Sequence, residues 1–78
     1  MKELIEFIAR SLVDDSLEVQ VDQHQRGSLV VLELQVAKED MGRVIGKGGR
    51  VANAMRTLLR VAAAREGNKA SLVIVDPQ

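Results

Sequence analysis

The sequence predicts an α+β fold, with the order α-β-β-α-α-β and helices packed on one face of a three-stranded sheet. Three observations predict it: an amphipathic helical pattern at the N-terminus, two β-type segments after it, and a glycine-rich break between two further helical segments. A last β-type segment closes the order. The 78 residues should form one domain, 1–78, because a chain of 8.5 kDa is too small for two.

The first half of the chain predicts a helix followed by a hairpin. Residues 2–13 carry an apolar stripe at helical spacing, formed by Leu4, Ile5, Ile8 and Leu12. Residues 17–22 predict a strand, since three apolar side chains alternate there with polar ones: Leu17, Val19 and Val21. The polar residues 23–28 predict a connection, and 29–36 predict the antiparallel partner strand.

The second half predicts two helices and a strand. Lys38-Glu39-Asp40 begins a short helix that ends at Gly46, and a longer helix begins near Arg50 and ends at Gly67-Asn68. The apolar face of the longer helix should hold Val51, Ala54, Met55, Leu58 and Ala62; its polar face should hold Arg50, Asn53, Arg56, Thr57 and Arg60. Residues 71–75 predict the last strand, and 76–78 a tail.

Composition excludes several functions. The chain has no cysteine and one aromatic residue, Phe7, which excludes disulfide scaffolds, cysteine-ligated zinc and a stacking platform for nucleic-acid bases. The net charge is zero, but residues 1–40 hold nine acidic and four basic side chains. Residues 41–65 hold six basic side chains and no acidic one. This distribution favours one local anion site.

The segment with chemical information is Val44-Ile45-Gly46-Lys47-Gly48-Gly49-Arg50. Its three glycines allow a sharp turn and a close approach to a ligand, and the next helix should direct its N-terminal N–H groups at the loop. Lys47 adds a charge, and Arg43 and Arg50 flank it. The spacing is one residue short of a nucleotide-binding P-loop, and a dinucleotide fingerprint would follow a strand. The loop therefore suits a sugar–phosphate backbone.

Helix, G-x-x-G and helix in this order resemble the KH domain, whose loop clamps about four nucleotides of single-stranded RNA or DNA. The element order is similar to the type II, bacterial form. Residues 1–13, 31–34, 40–47 and the run to 64 resemble the small bacterial KH proteins, so the resemblance covers essentially the whole chain.

The resemblance implies an RNA-binding protein, an RNA chaperone or post-transcriptional regulator linked to cell elongation, division and envelope homeostasis. It also implies pairing with a larger KH protein of the Jag type. The small size of the chain separately favours a homodimer, since a small domain gains stability and binding surface by association.

The resemblance implies three groups of RNA-binding residues. The phosphate-clamping loop would be formed by Gly46, Lys47, Gly48 and Gly49. Val44 and Ile45 would begin the apolar floor for the bases, and Arg43 and Arg50 would contact the backbone. Gly48 stands where many relatives carry a polar side chain, which implies a more flexible loop.

Other interpretations remain open at this point. The loop could be a simple connection, Arg56 and Arg60 a solvated face or a second phosphate track, and the protein an interaction module with weak RNA binding. His24 is expected to be a solvated loop residue, and Asp14 with Asp15 to end the first helix. No nucleophile, base or metal cluster is recognisable, so we expect no enzyme, no cofactor and no metal. Without a targeting signal or membrane segment, we expect a cytoplasmic protein.

Overall fold

The computed structural model describes residues 1–75, and the predicted tail, 76–78, lies outside them. Its helices and strands follow the predicted order: α1 (Lys2–Leu12), β1 (Gln20–Arg26), β2 (Leu29–Gln35), α2 (Met41–Ile45), α3 (Arg50–Arg65) and β3 (Lys69–Ile74). Single 3₁₀ turns lie at Ser16–Glu18, Lys38–Asp40 and Lys47–Gly49. Within the described residues, no helix is long and apolar enough to cross a membrane.

The three strands form one mixed sheet in the order β1-β2-β3. β1 and β2 are antiparallel, joined by a tight turn at Gly27-Ser28, where Gly27 has φ 60°. β2 and β3 are parallel, so the chain must cross over between them, and α2 and α3 make that crossover. This topology confirms the predicted α+β class and is that of a type II KH fold.

The core lies between the sheet and the helices. Alternate residues of β2 (Val30, Leu32 and Leu34) are almost fully buried on the helix side. They pack in one cluster with Ile5 and Ala9 of α1, and the cluster also includes Val44, Met55, Leu59 and Leu72. Met41 packs against it, so the two methionines Met41 and Met55 belong to the core.

The predicted first strand, 17–22, is wrong at both ends. Residues 16–18 form a 3₁₀ turn in which Leu17 is 95% exposed, and β1 runs through the polar residues that we predicted as a connection. The pairing of seven residues with β2 fixes the extent of β1, whereas its side chains need little burial because β1 is an edge strand. His24 is consequently a strand residue, and its Nε2 lies 2.7 Å from Oε1 of Glu33.

The predicted buried face of the long helix is also wrong in part. The buried residues of α3 are Ala52, Met55, Leu59 and Ala63, while Ala54 is exposed and Leu58 is 50% exposed. Apolar residues occur almost all round this helix, so the sequence did not mark which of them face the sheet. The predicted stop is confirmed: Asn68 N–H donates to Ala63 O at 2.9 Å, and Gly67 has φ 74°. β3 begins at Lys69, two residues before the predicted start.

Neighbouring leucines of α3 test this packing. Leu59→Ala should lower the free energy of unfolding by about 2–5 kcal/mol, because Leu59 is 1% exposed in the core. Leu58→Ala, the matched control, should lower it by less than about 1 kcal/mol. Urea unfolding followed by circular dichroism measures both; equal losses would contradict the orientation of α3.

Candidate nucleic-acid interface

The loop between α2 and α3 is one compact turn with three left-handed glycines. Gly46, Gly48 and Gly49 have φ 76°, 66° and 77°. Gly46 N–H donates to Gly42 O at 2.9 Å and ends α2, and Gly49 N–H donates to Gly46 O at 3.1 Å. The chain therefore passes from α2 to α3 in four residues, 46–49, and enters α3 at Arg50.

Gly46 is required for packing as well as for conformation. A Cβ atom at Gly46 would lie 2.5 Å from Cγ2 of Val51 and 2.9 Å from its backbone nitrogen. A Cβ atom at Gly48 would meet no atom within 4 Å. A side chain at Gly46 would therefore push the start of α3 away from the end of α2, whereas a side chain at Gly48 would not.

The N-terminus of α3 is open to an anion. Gly49 is its N-cap residue, no side chain caps the helix, and its first turn contains no acidic residue. The first N–H groups of a helix have no partner within it and carry the positive end of the helix dipole. Lys47 and Arg50 are exposed beside them and take part in no ion pair with other residues of 1–75. The turn thus joins backbone donors and two unpaired cations at one place.

The two predicted floor residues occupy different environments. Ile45 is 36% exposed at the end of α2, so it offers an apolar surface next to the loop. Val44 is fully buried in the core and presents no surface to a base, which corrects its predicted place in the floor. Consecutive residues of a helix point about 100° apart, and the core takes the side that holds Val44.

Arg43 contacts two carboxylates. Its Nη2 lies 3.0 Å from Oδ2 of Asp14, and its Nε lies 3.5 Å from Oδ1 of Asp40. Asp40 is 2% exposed and also accepts the backbone N–H groups of Asp14 and Asp15, at 3.2 and 3.1 Å. This group, which we call the Asp40 cluster (Asp14, Asp15, Asp40 and Arg43), ties the end of α1 to α2.

The Asp40 cluster was not predicted from the sequence. Asp14 and Asp15 end α1 as expected, but no local pattern connects them with a residue 26 or 25 positions further along the chain. The sequence around Asp40 predicts only a helix start. Asp40 is buried because the segment after α1 meets the segment before α2. Hydrophobic periodicity along the chain does not report such a contact.

Arg56 and Arg60, the further cationic pair on α3, occupy different environments. Arg56 is half-buried; its Nε donates to Leu72 O at 3.3 Å and its Nη1 to Oδ1 of Asn53 at 3.2 Å. Arg60, one turn further, is exposed.

Among residues 1–75, no three His, Asp or Glu side chains are grouped to hold a metal ion. The uncapped start of α3 and the exposed cations beside it are suited to an anionic backbone.

The parallel β2–β3 pair and the glycine turn between two crossover helices together define a type II KH domain. A family model described as "KhpA/KhpB, KH domain" matches residues 2–74. The chain belongs to this family, which is not a family of enzymes.

The sequences of curated relatives match this chain over all or nearly all of their length. The chain is 49% identical to an RNA-binding protein KhpA of Clostridium acetobutylicum over 75 residues, which cover 96% of this chain and 100% of the relative. It is 48% identical to a protein of the same name from Clostridium perfringens, with the same coverage. A third, from Treponema pallidum, is 48% identical over 96% of this chain and 94% of its own length. No solved structure matches the chain with significance.

Two glycine substitutions test the geometry of the turn. Gly46→Ala should destabilise the protein by more than about 2 kcal/mol, because it adds a steric clash with Val51 to the left-handed backbone strain. Gly48→Ala should cost only about 1 kcal/mol, the strain alone. Thermal or urea unfolding measures both, and a Gly46 variant as stable as the Gly48 variant would disprove the close approach.

Asp40→Ala tests the Asp40 cluster. It should destabilise by about 1–3 kcal/mol, because two backbone N–H groups and Arg43 lose their shared acceptor. Glu39→Ala removes the same charge from the preceding, exposed position and should change stability by no more than about 0.5 kcal/mol. If the two variants unfold at the same urea concentration, the cluster does not hold α1 to α2.

Proposed function

We propose that this protein binds single-stranded RNA by clamping its sugar–phosphate backbone at the Gly46-Lys47-Gly48-Gly49 turn. The observation that carries the proposal is the uncapped N-terminus of α3, presented by that turn with Lys47 and Arg50 exposed beside it. Membership of the KhpA/KhpB family and the names of the relatives, RNA-binding protein KhpA, support RNA as the ligand.

In the proposed complex, a phosphate group lies against the turn and accepts hydrogen bonds from the backbone N–H groups at the start of α3. Lys47 and Arg50 neutralise its neighbours on the strand. Ile45 provides the apolar edge against which the adjacent base packs, and buried Val44 holds Ile45 and the end of α2 in place from below. Affinity should be modest, since the single aromatic residue, Phe7, lies on α1, and base stacking on an aromatic ring is worth about 1–3 kcal/mol per base.

Salt dependence follows from the number of unpaired cations at the loop. Each phosphate neutralised on a single strand contributes about −0.7 to the slope of log affinity against log salt. Lys47 and Arg50 give a slope of about −1.4 for a four-nucleotide RNA. Participation of Arg43 would give about −2.1, but its guanidinium already forms ion pairs with Asp14 and Asp40.

Fluorescence anisotropy with a labelled single-stranded RNA tests the clamp. The double variant Lys47→Asp, Gly48→Asp should bind at least about tenfold more weakly, because it reverses one charge and adds another at the turn. Aspartate tolerates the left-handed conformation of Gly48, where a Cβ meets no neighbour, so the fold should persist.

The chain offers a matched control at the hairpin turn. Lys38→Asp, Gly27→Asp makes the same change of charge, and Gly27 is also left-handed with open space around it. This control should retain the native affinity. Equal RNA binding by the native protein and the loop variant would show that the turn is only a connection.

The cellular part of the proposal is an RNA chaperone or post-transcriptional regulator that acts in the cytoplasm, with effects on cell shape and cell-wall biogenesis. Two exposed cations beside the turn support it, because few phosphate contacts allow the ready release of RNA that a chaperone needs.

A second function, self-association or pairing with a KhpB/Jag-type protein, is favoured by one observation. Phe7, Leu58 and Val61 are large apolar side chains that are 72%, 50% and 52% exposed, and exposed apolar patches mark interaction sites when their residues are neighbours. Leu58 and Val61 line a groove between α1 and α3 with Leu4, and Phe7 follows Leu4 by one helical turn. The family description, which names KhpA and KhpB together, supports a KH protein as the partner.

Sedimentation equilibrium tests this apolar surface. Val61→Asp should convert a dimer into a monomer, because it would bury a charge in the interface, and its exposed position should leave the fold intact. Leu17→Asp, which makes the same apolar-to-acidic change at a 95% exposed position outside the groove, is the matched control and should leave the mass unchanged. A native protein that sediments as a monomer at all concentrations would rule out the homodimer.

A further inference from the structure

The two carboxylates that contact Arg43 lie in different environments. Asp40 has a side chain that is only 3% exposed, and its Oδ1 lies 3.5 Å from Nε of Arg43. Asp14 has a side chain that is 80% exposed, and its Oδ2 lies 3.0 Å from Nη2 of the same guanidinium. An ion pair in contact with solvent is weak, because water screens both charges. The contact with Asp14 is therefore the one that another anion can replace.

The backbone after α1 holds the Asp14 carboxylate beside Arg43. Oδ1 of Asp40 accepts the backbone N–H of Asp14 at 3.2 Å, and Oδ2 accepts that of Asp15 at 3.1 Å. Oδ1 of Asp40 thus faces both the backbone of Asp14 and the side chain of Arg43. These hydrogen bonds use the Asp14 backbone and not its carboxylate, so Asp14→Asn leaves them in place.

Arg43 lies beside the proposed RNA clamp. α2 ends at Ile45, and Gly46, the first residue of the turn, follows Arg43 by three residues, or about 4.5 Å along the helix axis. The Arg43 side chain is 53% exposed, so it is accessible to a nucleic-acid strand. A phosphate binds the same guanidinium donors as a carboxylate does. A phosphate and the Asp14 carboxylate therefore compete for Nη2.

The carboxylate has the advantage in this competition. Asp14 belongs to the same chain and its backbone is fixed by Asp40, so its local concentration at Arg43 is high. A phosphate that displaced it would also leave the freed carboxylate close to the RNA, where the two negative charges repel each other.

We propose that Asp14 limits RNA binding by competing with a phosphate for Arg43. This inference rests on the proposed function of the glycine turn and concerns how the affinity of that site is set. While Asp14 occupies Nη2, the strand is neutralised by Lys47 and Arg50 alone. Without the Asp14 carboxylate, Asp40 still holds Nε of Arg43, and Nη2 is free to bind a third phosphate.

The proposal predicts a gain of affinity, which damage to a binding site does not produce. The test variant is Asp14→Asn, which removes the charge and keeps the size of the side chain. Asp15→Asn is the matched control, because it makes the same change at the next, exposed residue, whose carboxylate forms no ion pair with other residues of 1–75. Circular dichroism verifies that both variants are folded.

Fluorescence anisotropy with a labelled four-nucleotide oligouridine, repeated over a range of salt concentrations, measures the effect. The native protein and the Asp15 variant should show a log–log salt slope of about −1.4. The Asp14 variant should bind about two- to fivefold more tightly at low salt, the range for one exposed ion pair. Its slope should steepen to about −2.1, since a third phosphate is neutralised.

The side-chain Nε–H resonance of Arg43 in NMR spectra provides an independent readout. It should shift on addition of the same oligouridine much further in the Asp14 variant than in the native protein, because only the variant brings a phosphate to this guanidinium.

Three results would overturn this proposal and leave the clamp in place. An equal gain of affinity in both variants would trace it to net charge. A reduced or unchanged affinity in the Asp14 variant, with a slope of about −1.4, would show that Arg43 lies off the path of the RNA. A native slope of about −2.1 would show that Arg43 already binds a phosphate beside Asp14. No binding by the native protein or by either variant would overturn the clamp as well.

Discussion

The close approach of Gly46 to Val51 is the constraint on which the site depends. Because a Cβ atom at Gly46 would overlap both the side chain and the backbone nitrogen of Val51, the end of α2 lies directly against the start of α3. The positive φ angles of Gly46, Gly48 and Gly49 complete the connection without a side chain in the way. The result is a helix N-terminus that no side chain caps, with Lys47 and Arg50 exposed beside it.

The Asp40 cluster organises the charge around that turn. Five of the six basic side chains of residues 41–65 lie on the loop and α3, and the sixth, Arg43, is held by Asp14 and Asp40. The buried carboxylate of Asp40 also accepts two backbone N–H groups, so Arg43 stabilises the junction of α1 and α2. A chain of zero net charge can therefore present a cationic surface, because its acidic side chains lie elsewhere or are already paired.

The sequence predicts the order of elements, the glycine turn and the end of α3 because each is a local property. A left-handed glycine or a helix stop is determined by the few residues around it, as at Gly67 and Asn68. The extent of β1 and the buried side of α3 depend on pairing and on which partner covers a helix. Spacing alone places Leu17 and Leu58 in the core, yet both are exposed.

The same distinction applies to the site. Gly46, Lys47 and Arg50 are recognisable in the sequence because the turn is continuous in the chain. The burial of Val44 and the ion pair of Arg43 with Asp14 are not visible in the sequence, since both require distant residues to meet.

A titration of isotope-labelled protein with a four-nucleotide single-stranded RNA, followed by amide chemical shifts in NMR, tests the central claim most directly. The account predicts that the largest shifts occur at Gly46, Lys47, Gly48, Gly49 and Arg50 and in the first turn of α3, while β1 and the outer face of the sheet remain unchanged. Shifts concentrated on Phe7, Leu58 and Val61, or spread evenly over the surface, would contradict it.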